Sequence, residues 1–329
     1  MSDRREHAPG PPSEEGMSRL QRTASRVQHH VARRLVIESN RDLSKTVLLA
    51  GTGRSGTTWV SNILLAGGGG RYLFEPFHSR RVSACSGFRY RQYLSPDAEE
   101  PELSLVADQI LRGAIRDPWI DQLNRTVLAK WRLAKDIRAN LMLGWLARLF
   151  PAVRVVVVVR HPAPVALSKL ALDWGTPVDE LVQQDALMRD HLEPYRGVLE
   201  AAKTPLQKHV ALWCVETLVP LRSIPPGRAH LTFYEELCRS PEESIDAMRK
   251  HAGRSTTQAA QSAWRRPSEL SRGDTRSLVS GEERASGWKN KITGAQSDEV
   301  HEILEGFGMA DLYDDEVRPR RSAFAALRG

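Results

Sequence analysis

From residue 46 to residue 306, short apolar runs alternate with longer stretches in which apolar side chains recur at helical spacing. Short runs rich in β-branched residues predict buried strands, whereas the 3.6-residue period predicts helices. The predicted strands are residues 46–50, 71–74, 126–134, 154–159 and 229–234. The predicted helices are residues 57–65, 140–150, 164–172, 208–223, 241–252 and 298–306.

Residues 155–159 are five consecutive valines. A strand that is apolar on both faces belongs in the middle of a parallel sheet that helices cover on both sides. We therefore predict an α/β, P-loop-like three-layer fold with a central parallel sheet flanked by helices. Ligands of such sheets bind outside the carboxyl ends of the strands. The loop at Gly51, Glu75 and Arg160 each follow a predicted strand, so they should share one rim.

Two segments interrupt the alternation, at residues 79–124 and 172–208, and no internal repeat is visible. They either form walls over the rim or serve only as helical packing. The main domain is expected at residues 44–315. Before it, residues 1–43 predict a disordered tail from their Pro, Gly and charge content, followed by a helix from their apolar spacing. After it, residues 316–329 are expected to form a C-terminal tail.

The chain has 329 residues and a formal net charge of +7. This balance favours an anionic ligand, although an arginine-rich soluble protein needs none. The arginines are scattered, which argues against nucleic acid as a partner. Cys85, Cys214 and Cys238 lack metal-ligand spacing, so we expect buried free thiols and a reducing compartment. Because no apolar stretch could cross a bilayer and no signal peptide is visible, we expect a cytoplasmic protein.

A glycine-rich turn follows the first predicted strand, with the sequence Gly-Thr-Gly-Arg-Ser-Gly-Thr-Thr-Trp at residues 51–59. Strand, glycine turn and helix in this order predict an anion site, because a helix N-terminus directs backbone N–H groups and positive potential at a phosphate. The spacing is that of the nucleotide P-loop, except that Thr57 replaces the lysine that reaches the β- and γ-phosphates. The expected anion is therefore not a nucleoside triphosphate.

A second anion site is predicted where the valine strand ends. Arg160 follows the strand, and Pro162 and Pro164 are typical of a helix start. Ser168 lies further along that helix. A guanidinium and a hydroxyl that converge from a strand end and a helix are suited to phosphate oxygens. A kinase would often place an acidic Mg²⁺ ligand after such a strand, and this chain has Arg160 instead.

These residues resemble sulfotransferases that use 3′-phosphoadenosine-5′-phosphosulfate (PAPS). Residues 54–59 resemble the family's 5′-phosphosulfate loop, and Arg160 with Ser168, eight positions later, resembles its 3′-phosphate motif. Residues 233–237 resemble the family's Tyr-Glu-Asp-Leu strand end. Residues 287–293 resemble its Gly-Asp-Trp-Lys segment. All four landmarks occur in the family's order, which makes the ordered pair of anion motifs a specific signal.

The resemblance implies how PAPS would be held. Arg54 and the loop's backbone N–H groups would contact the 5′-phosphosulfate, while Arg160 and Ser168 would contact the 3′-phosphate. Trp59 would stack near the adenine with Tyr234 beside it, and the alternative for each residue is packing in the core. The implied PAPS-binding residues are Arg54, Ser55, Gly56, Thr57, Thr58, Trp59, Arg160, Ser168, Tyr234 and Lys289.

The sequence departs from the family's cytosolic branch in three places. That branch usually has a lysine where this chain has Arg54. Its base histidine, two residues after a lysine, is missing at residues 135–137. Its Arg-Lys-Gly element is not evident near the C-terminus, where Arg284 or Lys289 would substitute.

The stretch after the second strand resembles carbohydrate-directed and bacterial sulfotransferases instead. Residues 71–78 contain a Tyr-x-x-Glu-Pro element, and residues 135–138 resemble a Leu-Lys-x-x-Arg segment. The acceptor implied is a hydroxyl of a carbohydrate or a glycosylated small molecule. Glu75 is the candidate base, with His78 and Asp136 as rivals. The alternative is a structural role, in which Glu75 forms a salt bridge or caps the turn before the proline that follows it.

The expected function is in-line transfer of a sulfuryl group from PAPS to a hydroxyl acceptor, without a metal ion. Arg54 would stabilise the charge of the transferring group, and Glu75 would take the proton. Two alternatives remain at this stage, namely a P-loop-type nucleotide kinase and a non-catalytic nucleotide-binding protein of the same fold. The oligomeric state cannot be read from the sequence, because no heptad or long apolar edge is visible.

Overall fold

A five-stranded parallel sheet lies at the centre of the computed structural model, which describes residues 35–266 and 280–328. A short parallel pair of strands lies outside this sheet. In chain order the strands are β1 (Ile37–Glu38), β2 (Thr46–Ala50), β3 (Gly70–Phe74), β4 (Leu128–Ala129), β5 (Trp131–Asp136), β6 (Arg154–Val159) and β7 (Ala229–Phe233). The order across the main sheet is β3-β5-β2-β6-β7, and β1 pairs with β4.

The predicted strands occur where the sequence places them, with one division. The predicted strand at 126–134 separates at Lys130 into β4 and β5, which belong to different sheets. The valine strand β6 lies inside the sheet between β2 and β7, as its apolar faces require, while β2 is the central strand. The predicted α/β fold with a parallel sheet is confirmed.

Helices cover both faces of the sheet. The longest helix of the described residues, α8 (Pro205–Ser223), begins with a reciprocal capping box formed by Thr204 and Gln207. The helices are α1 (Thr57–Leu65), α2 (Pro101–Leu111), α3 (Leu143–Leu149), α4 (Pro162–Leu170), α5 (Val178–Leu181), α6 (Asp185–Leu187), α7 (Arg196–Ala201), α8 (Pro205–Ser223), α9 (Tyr234–Arg239), α10 (Pro241–His251), α11 (Gln258–Ala263), α12 (Gly281–Ser286), α13 (Gly294–Gly306) and α14 (Arg321–Ala326).

Two apolar layers follow from the alternation of side chains along the strands. Leu48 and Val155 point into the layer that contains α3, α4, α8 and α13. Leu49 and Val156 point into the opposite layer, which contains α1 and α10. The sheet is therefore buried on both faces, and its carboxyl edge is where polar side chains can gather.

The residues before β2 are attached to the sheet. Residues 1–34 of the predicted tail and helix lie outside the described residues, while residues 37–38 form β1. The side chain of Glu38 in β1 is buried, and its carboxylate accepts from two arginines of the sheet, Arg71 and Arg132, at 2.5 Å each. This shared carboxylate holds the start of the described chain against β3 and β5.

The C-terminal residues also pack against the sheet. Within the predicted tail at 316–329, α14 places Phe324 in the core, 1% exposed. Its ring centroid lies 4.8 Å from that of Phe233 in β7 and 5.7 Å from that of Tyr313. The end of the described chain therefore closes the β7 edge.

The three cysteines are free and buried, as predicted. Burial raises the pKa of Cys85 and of Cys238 to about 12, so both are protonated thiols at neutral pH. Between residues 35 and 266 and between 280 and 328, none of the helices is long and apolar enough to span a bilayer.

Candidate active site

The carboxyl ends of the five strands bring the predicted site residues to one rim. Glu75 follows β3, Arg138 lies shortly after β5, and the glycine loop follows β2. Arg160 follows β6 and Tyr234 follows β7. Because β2 is the central strand, the loop that follows it divides the rim into two halves. The half beyond β5 carries Glu75 and Arg138. The half beyond β6 carries Arg160 and Tyr234.

The donor loop, residues 51–56, depends on glycine at its two ends. A Cβ at Gly51 would lie 2.5 Å from the carbonyl oxygen of Val158. Gly56 has a φ of +93°, and a Cβ there would lie 2.7 Å from the ring of Tyr234. The loop can therefore approach both β6 and the aromatic side chain only because these positions lack side chains.

The remaining loop residues direct backbone donors at the rim. The hydroxyl of Ser55 is buried and donates to the carbonyl of Thr52 at 2.7 Å, so it braces the turn. Thr57 and Thr58 form the first turn of α1, whose N–H groups have no acceptor within a helix. These amides and the positive end of the helix are suited to an anion, and the predicted anion site stays a prediction.

The two predicted anion motifs meet in space. The Nε of Arg54 donates to the Oγ of Ser168 in α4 at 2.9 Å. Arg54 has a φ of +75°, a strained conformation for a residue with a side chain. The backbone of the loop thus turns this guanidinium toward the helix that follows β6, although 114 positions separate the two residues in the chain.

Arg160 has a donor available for an anion. Its Nη1 donates to the carbonyl of Arg54 at 3.3 Å, and its Cζ lies 4.1 Å from the ring centroid of Tyr234. Its Nε is buried and has no hydrogen-bond partner among the described residues. An unsatisfied buried guanidinium N–H is costly, and an anion at this position would relieve the cost.

The two aromatic residues of the site, Trp59 and Tyr234, pack against each other at a tilt of 58°. The ring centroids of Trp59 and Tyr234 lie 5.2 Å apart, and Tyr234 lies under Arg160. Trp59 is only 4% exposed, and its Nε1 donates to the carbonyl of Trp264 at 3.0 Å. Tyr234 is therefore the ring closer to the anion site, with Trp59 packed behind it.

Two basic residues near the C-terminus lie apart from the loop. Lys289 is exposed and donates to the carbonyl of Asp315. Arg284 donates to the carbonyls of Trp264 and Arg265 at 2.9 and 3.2 Å. These carbonyls belong to residues outside the donor loop. Their predicted roles stay predictions.

Glu75 is buried between two cations. Its Oε1 accepts from the Nζ of Lys135 at 2.7 Å, and its Oε2 accepts from the Nη1 of Arg138. Its backbone N–H donates to the carbonyl of Lys135 at 2.7 Å, and its φ is +44°. The alternative that the sequence leaves open, a salt bridge, is therefore present. It also fixes the carboxylate at the rim.

The two rival bases are held in other ways. Asp136 is fully buried, and its carboxylate accepts from the backbone N–H groups of Phe77, Arg138 and Ala139 at 2.7 to 3.0 Å. Burial raises the pKa of Asp136, and the charge of Glu75 adds to that effect. His78 is 1% exposed, with its ring centroid 5.2 Å from that of Trp119.

A buried charged cluster beneath the donor loop is absent from the sequence predictions. The hydroxyl of Thr52 donates to Glu216 in α8 at 2.5 Å and accepts from the Nζ of Lys169 at 3.1 Å. Arg91 pairs with the other oxygen of Glu216. Burial lowers the pKa of Lys169 well below its usual range, and the charge of Arg91 adds to the effect. A glutamate within the otherwise apolar stretch of α8 was the available signal.

His161 is a packed turn residue, as its position beside Arg160 suggests. Its Nδ1 accepts from the backbone of Ala163 at 3.2 Å and so caps α4, while its ring stacks on Trp288 at 4.6 Å. Burial lowers the pKa of His161 to about 3. Its backbone N–H donates to the buried carboxyl of Glu235 at 2.9 Å. Burial raises the pKa of Glu235 to about 7.

Comparison with known proteins decides the family. Residues 47–258, about two thirds of the chain, match the model of a family described as the sulfotransferase family. This chain belongs to the sulfotransferase family. The matched stretch includes the donor loop, Glu75, Arg160 and Ser168. No curated protein has a sequence that matches this sulfotransferase.

Several solved sulfotransferases are similar to this one at low sequence identity. The sulfotransferase domain from the Synechococcus PCC 7002 olefin synthase is 14% identical, with a TM-score of 0.42, and the match covers 82% of this chain and 95% of that one. Sulfotransferase STF9 from Mycobacterium avium is 14% identical, with a TM-score of 0.42 and coverages of 91% and 83%. Mouse sulfotransferase SULT7A1, complexed with PAP, is 12% identical, with a TM-score of 0.41 and coverages of 88% and 92%.

Proposed function

We propose that this sulfotransferase uses PAPS as donor and transfers its sulfuryl group to a hydroxyl of a carbohydrate or a glycosylated small molecule. The observation that carries the proposal is the meeting of Arg54 with Ser168 beside the unsatisfied Nε of Arg160. These three side chains and the first-turn amides of α1 would provide two anion sites, and PAPS has two anionic ends. When bound, PAPS supplies the sulfuryl group, which Arg54 and the loop amides would stabilise.

The residues at the rim fit the 3′-phosphoadenosine part of the donor. Arg160 and Ser168 would donate to the 3′-phosphate, since a guanidinium and a hydroxyl match its oxygens. Tyr234 would face the adenine, with Trp59 supporting it from behind. Gly56 keeps this aromatic ring at contact distance from the loop. Lys289 would approach the 3′-phosphate only after leaving the carbonyl of Asp315.

The acceptor would bind beyond β5, where Glu75 lies. In the proposed step the acceptor oxygen bonds to sulfur while the sulfur–oxygen bond to the 5′-phosphate breaks, and the acceptor proton passes to the carboxylate of Glu75. A carboxylate oxygen has more than one lone pair, so the acceptor hydroxyl can share an oxygen with Lys135 or Arg138. Those two cations hold Glu75 in a fixed direction, which favours positional catalysis.

Glu75→Gln should impair turnover, whereas Arg160→Ala should impair binding of the donor. Glu75→Gln should lower kcat by about a hundredfold or more, because a general base contributes on that order. It should leave the Kd for adenosine 3′,5′-bisphosphate unchanged.

Arg160→Ala should raise the Kd for adenosine 3′,5′-bisphosphate and the KM for PAPS, because a ground-state phosphate contact is lost. Turnover is measured with ³⁵S-labelled PAPS on a panel of glycosides, and binding by titration calorimetry.

Three results would contradict the proposal. Full turnover in Glu75→Gln would remove Glu75 as the base. A pure kcat loss in Arg160→Ala would remove the phosphate role of that residue. Tighter binding of ATP with Mg²⁺ than of adenosine 3′,5′-bisphosphate to the unaltered protein would favour the nucleotide-kinase chemistry that Thr57 argues against.

A further inference from the structure

The segment after the candidate base carries four arginines and no acidic residue. Residues 79–92 contain Arg80, Arg81, Arg89 and Arg91, without Asp or Glu. Arg80, Arg81 and Arg89 are exposed, whereas Arg91 is buried and pairs with Glu216. A run of exposed positive charge without carboxylates of its own is typical of a surface that meets an anion.

Two arginines of this segment, Arg80 and Arg91, and Arg138 from the loop after β5 lie around one ring, that of Tyr90. The Cζ of Arg80 lies 4.2 Å from the ring centroid of Tyr90, and those of Arg91 and Arg138 each lie 5.5 Å from it. The Nε of Arg138 also donates to the hydroxyl of Tyr90 at 3.3 Å. Tyr90 is half-buried, so three guanidinium groups surround a ring that still reaches solvent.

This surface is continuous with the candidate base. Arg138 touches Tyr90 on one side and pairs with Glu75 on the other. Arg138 thus links Glu75 to Tyr90, the ring that Arg80 also contacts. A sugar ring carries further substituents within a few ångströms of the reacting hydroxyl.

The exposed arginines have weak partners within the protein. Arg80 lies 3.6 Å from Glu180, and both side chains are about half exposed. Such exposed pairs contribute little, so a ligand can replace them. Arg81 lies over the ring of Trp119 at 5.4 Å.

A guanidinium group matches a carboxylate in a bidentate geometry that a neutral hydroxymethyl group cannot provide.

We propose that Arg80, Arg81 and Tyr90 form an acceptor subsite for the carboxylate of an acidic sugar. This inference rests on the proposed function, since it places the subsite beside the proposed base. It narrows the acceptor class from carbohydrates in general to those that carry a negative charge near the sulfated hydroxyl.

The test compares two probes that differ only at carbon 6, 4-nitrophenyl β-D-glucuronide and 4-nitrophenyl β-D-glucoside. Each is titrated into the full-length protein by calorimetry at low salt, with and without adenosine 3′,5′-bisphosphate. The glucuronide should bind about tenfold or more tightly, as one charge-assisted pair of hydrogen bonds implies. In the double variant Arg80→Gln, Arg81→Gln, the two probes should bind with nearly equal affinity. In the unaltered protein, high salt should reduce the preference for the glucuronide.

The matched control removes the same charge at the opposite edge of the sheet. Arg318 and Arg320 are exposed and pair with Glu316 and Asp311 near α14. Arg318→Gln, Arg320→Gln should keep the preference for the glucuronide. Equal affinities for the two probes, no binding of either probe, or an equal loss in the control variant would each overturn the inference. Binding of adenosine 3′,5′-bisphosphate is measured separately, so failure of the donor site would be recognised as failure of the proposed function.

Discussion

Glu235 is a buried acid that lies directly behind the proposed donor site. It is not exposed at all, and its carboxylate accepts from the backbone N–H of His161, the residue after Arg160. Burial raises the pKa of Glu235 from 4.5 to about 7. Between these values the folded protein retains a proton that the unfolded chain has lost, so stability falls as pH rises through this window.

Glu235→Gln should therefore stabilise the protein at pH 8 and have a smaller effect at pH 5. The amide keeps an acceptor for the N–H of His161 but carries no charge. The gain in the free energy of unfolding should be about 2 kcal/mol larger at pH 8 than at pH 5. Denaturant unfolding at both pH values measures it. An equal change at the two values would show that Glu235 does not titrate in this window.

Local motifs reveal some residues of the site and hide others. The donor loop, Arg160 and Ser168 are recognisable because each belongs to a short pattern with fixed spacing. Glu216 and Arg91 are not, because each acts through a partner more than 100 residues away. A charged residue in an apolar helix indicates burial, but its partner depends on which helices the sheet brings together.

At the level of elements, the start of α1 is tightly constrained. Gly56 precedes this helix with a positive φ, and Tyr234 fills the space where a side chain would lie. A substitution here has two costs, the strain of the left-handed backbone and the displacement of the ring. Of these two costs, only the displacement of the Tyr234 ring should affect the proposed donor site.

Gly56→Ala should weaken binding of adenosine 3′,5′-bisphosphate by tenfold or more, because it moves Tyr234 away from the loop. Gly68→Ala is the matched control, since Gly68 has a φ of +79° with nothing within 4 Å of a Cβ. Both variants should lose about 1 kcal/mol of stability from backbone strain. Equal affinities in the two variants would show that the contact between the loop and Tyr234 is dispensable for the nucleotide.

Helix ends differ from their predictions where proline and capping residues extend the helix toward its N-terminus. The predicted helix at 164–172 begins at Pro162, and the one at 208–223 begins at Pro205 after the Thr204 cap. Apolar spacing locates the buried centre of a helix, whereas its first turn is polar and depends on local hydrogen bonds. Strand β6 agrees with its prediction at both ends because its valines define it fully.

At the scale of the whole molecule, both ends of the described chain secure the sheet. Glu38 bridges Arg71 and Arg132 near β3, and Phe324 packs on Phe233 of β7 at the other edge. Neither contact follows from local pattern, because each joins segments at least 33 residues apart. The order of strands across the sheet is likewise a property of the complete fold.

Phe324→Ala should destabilise the protein by about 3 to 5 kcal/mol, as large-to-small changes of buried aromatic residues do. The loss follows from the cavity beside Phe233 and Tyr313. Leu149→Ala is the control, because Leu149 is 41% exposed and should cost far less. Urea unfolding of both variants measures the difference. A cost below 1 kcal/mol for Phe324→Ala would show that α14 contributes little to the fold.

Glu216 has a consequence for how the two substrates communicate. Through Arg91 it holds the backbone next to Tyr90, and through Thr52 it holds the donor loop. One buried carboxylate thus joins the segment proposed to meet the acceptor to the turn proposed to meet the nucleotide. If binding of one substrate moves this carboxylate, thermodynamic reciprocity requires that each substrate alter the affinity of its counterpart by the same factor.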